Sequence, residues 1–237
     1  MNCQRKDFGL EDCLQASDIN FYRIPVFKTV HDKSPRLVLS LNKPEMDIAE
    51  YYDFIPLGWE AFVFFGDKHN PVTNMSLEQI IAIYRGLATN WREMGGLDEP
   101  IIAYQRSQLS ITQGIMEKYV MHGTMATSPT EFRTSKTGTR RTENVEYKHG
   151  RNAISYSDRL TTRLYSPSRR IKLFAVDGVE PTDENIRSGR YPLTYEIMAL
   201  IPKRSMSEET RLVLNWLTGP EGQAYIRQLG YVPLAGS

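Results

Sequence analysis

No run of about 18 apolar residues occurs in the 237-residue chain, which argues against a transmembrane helix. Cysteine is nearly absent. Cys3 and Cys13 stand in a polar leader without CxxC spacing, so they read as free or incidental thiols rather than as a redox or metal motif. Histidine is also scarce: His31, His69, His122 and His149 are scattered, with no HExxH pattern and no neighbouring cysteine, which argues against a catalytic metal. GxGxxG, GxSxG and GxxxxGK[ST] are all missing, so a dinucleotide site, a hydrolase elbow and a P-loop have no local support, and no cofactor is expected. Neither sign of charge dominates, with 29 Lys and Arg against 28 Asp and Glu. A net charge of +1 gives no general drive toward nucleic acid or a membrane surface, so no nucleic-acid partner is expected. The first residues, MNCQRKDFGLEDCLQ, lack the basic, apolar and small-residue succession of a signal peptide. Two readings follow, a protein that stays inside the cell or a mature or excised segment.

What is present is ordinary globular composition, 41% hydrophobic and 24% charged, over a length sufficient for one large domain or two lobes. Residues 1 to about 34 suit an edge strand or extended arm, because Pro25 interrupts their one apolar run. Arg36 to Leu41 reads as a buried strand, and Trp59 to Phe65, WEAFVFF, as the most hydrophobic strand of the chain, suited to a sheet interior. Ser76 with Gln79 forms a capping box for a helix whose apolar face is Leu77, Ile80, Ile81 and Tyr84. Further on, Ala153 to Tyr156, Ile171 to Val176 and Leu193 to Ile201 read as strands, Thr182 as an N-cap, and Pro220 as the first residue of a helix that follows another over Glu208 to Leu217. Strands alternating with helices predict an α/β architecture with largely parallel sheets.

One stretch organises the rest. Ile101 to Tyr104 reads as a short buried strand, and Arg106, Ser107 and Gln108 cannot continue it as core. Ser110 with Gln113 has capping-box spacing, which predicts Ser110 as the N-cap of a helix over Ile111 to Met121. A helix start with Arg106, Ser107, Ser110 and Thr112 beside it is suited to an anion, although many ordinary helices also open on such a box. The basic segment TSKTGTRRT is a weaker phosphate candidate, and a solvated loop explains it better.

Several segments together resemble a known family: IPLGWEAFVFF (55 to 65), NPVTNMSLEQIIAIYRGLATNWREMGG (70 to 96), IIAYQR (101 to 106), NAISYS (152 to 157), IKLFAVDGVEPTDENIRSGRYPL (171 to 193) and WLTGPEGQAYIRQLGYVPL (216 to 234). In this order they are similar to the phosphate-binding proteins of phosphate ABC transporters, within the type II periplasmic binding-protein fold. The resemblance implies two α/β lobes with a mixed, mostly parallel sheet in each, residues 1–66 and 195–237 in one and 67–194 in the other. It also implies two crossing strands, near Phe65 to Asp67 and near Tyr195, with the ligand between the lobes. It further implies a non-enzymatic protein in an extracytoplasmic location, a small oxyanion as ligand, and an ABC permease or another membrane component as partner.

The family holds phosphate on three loops, one of them Arg-x-x-(Gly/Asn)-Ser-Gly-Ser/Thr at a helix start. That loop falls on Arg106 to Gln113, where Arg106 stands at the family's arginine and Ser110, Thr112 and Gln113 approximate its hydroxyl and amide positions. Its glycine-bearing centre has become Gln108-Leu109-Ser110-Ile111, and glycine matters there because the backbone must approach the anion closely. A second loop falls on Arg36 to Ser40, with Arg36 where relatives carry an aspartate. The first loop has no match in residues 1 to 34, so the N-terminal part of the pattern is truncated or diverged. The expected ligand residues are Arg106, Ser107, Ser110, Thr112, Gln113 and Ser40, for phosphate or a related oxyanion. The alternative is a degenerate binding-protein fold used as a sensor or protein-interaction domain.

Overall fold

The computed structural model describes residues 38–41, 51–106, 110–123, 150–164, 170–203 and 206–234, with backbone alone at 38–41 and 111. Its described strands, in chain order, are β1 (Val38–Leu41), β2 (Tyr52–Asp67), β3 (Asn74–Met75), β4 (Ile102–Ala103), β5 (Ala153–Asp158), β6 (Ile171–Leu173), β7 (Ala175–Val176), β8 (Thr194–Pro202) and β9 (Val232–Pro233). The chain divides into two compact units, 1–59 with 195–237, and 60–194. No helix among the described residues is long and apolar enough to cross a membrane.

In the first unit β8 lies between β1 and β2, running antiparallel to β1 with Val38 opposite Leu200. β9 pairs with β2 through Gly58 opposite Pro233. The alternation of a strand sends Ala199 and Ile201 to one face and Met198 and Leu200 to the other. The first face packs with Leu57 against Val213 and Leu214 of the helix Glu208–Thr218 and Ile226 of the helix Pro220–Gln228. Gln223 locks these helices to the strand: its Nε2 donates to Leu57 O and Leu217 O at 2.9 and 2.8 Å, and its Oε1 accepts from Leu234 N–H at 2.7 Å.

In the second unit the later part of β2 is antiparallel to β5, with Phe62 opposite Asp158, and to β6, with Phe65 opposite Leu173, while β4 runs parallel to β5. The apolar run WEAFVFF becomes the centre of this unit: Phe62, Phe64, Tyr84 and Tyr156 are essentially unexposed and form one aromatic cluster, with Phe62 and Tyr156 ring centroids 5.5 Å apart. Gly66 lets Phe174 close on the strand, since a Cβ there would lie 2.6 Å from the ring. The helix Leu77–Tyr84 opens on the expected capping box, Ser76 Oγ accepting from Gln79 N–H and Gln79 Oε1 from Ser76 N–H.

The sheets are mixed, as expected, but the expected majority of parallel pairing does not hold among the described registers. Four are antiparallel and two parallel. The main cause is β2, a 16-residue strand against which β5, β6 and β9 each return in the opposite direction. The leader with Cys3 and Cys13, Arg36, His31, His149 and the TSKTGTRRT segment lie outside the described residues.

Candidate functional site

After β4, Tyr104 still donates its N–H to Ile154 O of β5 at 2.9 Å. Arg106, half-buried, then leaves the sheet. Ser110 has the extended backbone of an N-cap and opens the helix Ile111–Ile115, which widens into a π turn over Met116–Val120. The wider turn, closed by Met121 N–H on Met116 O, lets Met116, Val120 and Met121 all be buried. The expected regular helix to Met121 is thus corrected to a short α segment with a π continuation.

The expected capping box at Ser110 does not form, and Ser110 makes no side-chain cap hydrogen bond. The reason is that Gln113, which would complete the box, is used elsewhere. Its Oε1 accepts the Arg106 backbone N–H at 3.0 Å and the Tyr156 hydroxyl, and its Nε2 donates to Glu117 Oε1 at 3.0 Å. Arg106 also reaches back over the turn, Nη1 donating to Thr112 Oγ1 at 2.8 Å. Thr112 and Gln113 are buried. A hydroxyl that accepts from arginine retains its own proton for a further acceptor, so Arg106 and Thr112 present neighbouring donors.

Of the sequence-predicted residues, the structure brings Arg106, Thr112 and Gln113 together and puts Ser110 at the head of the same helix. Ser107 lies outside the described residues. Ser40 belongs to β1 of the other unit, where its backbone stands opposite Met198 and its side chain is not described. Among the described residues no three His, Cys, Asp or Glu are grouped as a metal ion would require.

The second unit also holds a buried charge cluster that the sequence reading did not single out. Glu60, 1% exposed, accepts Ala61 N–H on Oε1 at 2.8 Å and Leu160 N–H on Oε2 at 3.1 Å. Arg159, fully buried, brings Nε to 3.9 Å from Glu60 Oε1 and donates from Nη1 to Asp183 Oδ1 at 2.6 Å. Burial pushes the Glu60 carboxyl up to about 7, helped by the Asp158 carboxylate and opposed by the two backbone donors and Arg159. Two sequence signals were available. A glutamate inside the most apolar strand needs a buried partner, and Gln113 with Glu117 has the i, i+4 spacing of helical neighbours. Tyr156 had no such signal, because its role depends on a residue far away in the chain.

Residues 52–221 match the family model described as the PBP superfamily domain. The phosphate-binding protein PstS of Bacillus subtilis is 26% identical over 167 residues, covering 69% of this chain and 51% of that protein. The chain therefore spans about half the length of this curated relative. An ABC-type phosphate transport receptor from Vibrio cholerae superposes with a TM-score of 0.66 at 22% identity, over 83% of this chain and 79% of that one. A Clostridium perfringens crystal structure with bound phosphate gives a TM-score of 0.70 at 20% identity, over 89% and 83% of the two chains. At these identities the structural likenesses show the shared fold.

Proposed function

The chain belongs to the PBP superfamily, and from that membership we propose that it is a solute-binding protein that holds phosphate or a related small oxyanion. Transport is its role in this reading, with an ABC permease as partner, an extracytoplasmic location and no catalysis of its own. The observation that carries the reading is the Arg106–Thr112 pair, Nη1 to Oγ1 at 2.8 Å, at the start of a helix. A guanidinium supplies charge-assisted donors, and the threonine hydroxyl beside it supplies a neutral one, which together suit the oxygens of a tetrahedral anion. Ser107 and Ser110 are the further hydroxyl donors of the proposed set. The relatives whose printed names concern phosphate support the binding reading over a degenerate interaction scaffold.

Isothermal titration of the purified protein with phosphate, sulfate and methylphosphonate tests it. Micromolar binding, about 8 kcal/mol, is expected for at least one of them. Arg106→Ala should weaken that binding at least about tenfold, the worth of a hydrogen bond to a charged group, and leave the melting temperature nearly unchanged because Arg106 is only half-buried. A folded protein that gives no heat with any of the three anions refutes the reading.

A further inference from the structure

We propose that Gln113 and Tyr156 form a strut that fixes the Arg106 backbone and thereby sets anion affinity, acting as positioning residues rather than as ligand contacts. The inference rests on the binding reading above and assigns Gln113 a different role from the one its spacing suggests. A glutamine carbonyl oxygen has two lone pairs. Here the Arg106 N–H and the Tyr156 O–H occupy both, and one of the two amide protons goes to Glu117. The Gln113 side chain is fully buried, and its one electronegative face would repel an anion. It has the bonding pattern of a structural bracket.

The other end of the bracket is rigid. Tyr156 is unexposed on β5, its ring 5.5 Å from Phe62, 6.2 Å from Phe64 and 5.3 Å from Tyr84, centroid to centroid. Its hydroxyl position is therefore set by the aromatic core. Gln113 transfers that position to the Arg106 backbone, and Thr112 accepts a hydrogen bond from the guanidinium. The strut matters more in this chain because Leu109 and Ile111 stand where the resembled pattern has a small residue or glycine that lets the backbone approach the anion closely.

The test combines Gln113→Met, Tyr156→Phe and the double variant, each titrated with inorganic phosphate, while hydrogen exchange of the Arg106 amide is followed by NMR in the free protein. Gln113→Met should weaken phosphate binding about ten- to hundredfold, the cost of a displaced binding group. Tyr156→Phe should weaken it in the same direction, and the double variant should be no weaker than Gln113→Met alone, as for two parts of one linkage. The Arg106 amide should exchange faster in all three. Wild-type affinity in a folded Gln113→Met protein, or losses that multiply in the double variant, overturns the strut. Should Gln113→Met fail to fold, unchanged affinity and unchanged Arg106 exchange in Tyr156→Phe overturn it alone. If the wild type gives no heat with phosphate, the same variants are titrated with sulfate and methylphosphonate; no heat with any of the three makes the binding reading fail separately, and the Arg106 exchange rate then decides whether the strut exists.

Discussion

Glu60 makes the stability of the second unit depend on pH in the direction opposite to a salt-bridged carboxylate. Its carboxyl is raised from 4.5 to about 7, chiefly by burial, so the folded chain holds this proton more tightly than the unfolded chain does. Between those two values the folded state binds more protons, and linkage makes stability fall as pH rises. Glu60 therefore contributes its full share below about pH 4.5 and loses it as pH climbs through about 7. Raising this carboxyl from 4.5 to about 7 corresponds to roughly 3 kcal/mol, of which about 2 to 3 kcal/mol falls between about pH 5 and about pH 8.

Glu60→Gln isolates this contribution, because the amide resembles the neutral acid and does not titrate. It loses one acceptor for the Ala61 and Leu160 N–H groups, a cost that does not change with pH. Urea unfolding of both proteins across that pH range, with amide exchange of β5 as the readout specific to this unit, gives the difference at each pH. The wild type should lose about 2 to 3 kcal/mol relative to Glu60→Gln as pH rises from about 5 to about 8. Parallel profiles would refute the reasoning, because they would mean that Arg159, 3.9 Å away, and the two backbone donors fully offset the burial of the charge.

The Tyr84 hydroxyl is fully buried with no hydrogen-bond partner among the described residues, so Tyr84→Phe should raise the unfolding free energy by about 1 kcal/mol, read as a higher urea midpoint at unchanged m-value, and a loss of that size would show a hidden partner. Gly222→Ala places a Cβ 2.0 Å from Trp216 O and should cost upward of about 2 kcal/mol in thermal unfolding. Ser76→Ala removes a formed capping box and should cost about 1 kcal/mol, whereas Ser110→Ala should stay within about 0.5 kcal/mol because its side chain caps nothing. Equal losses at the two serines would contradict the capping difference.

The features legible in the sequence are those that local chemistry closes by itself. The caps at Ser76 and Thr182 and the proline at the start of Pro220–Gln228 need only neighbours within a few residues, and each forms as spaced. Strand β2 was legible at its apolar centre but not in its length, because its flanks at Tyr52 to Pro56 are only partly buried and carry no strong run. Ser110 and Gln113 have the same capping spacing as Ser76 and Gln79, yet only one pair caps. At Gln79 no second donor among the described residues claims the amide oxygen of the box, while at Gln113 a backbone N–H seven residues earlier and a tyrosine hydroxyl 43 residues later claim it. Two well-placed donors from the core, one of them a buried phenol, outweigh one cap bond that water can replace. Spacing could say that Arg106, Thr112 and Gln113 belong to one site. In the proposed reading, which of them faces an oxyanion and which faces the fold is decided by β5, a strand whose partner register no local pattern encodes.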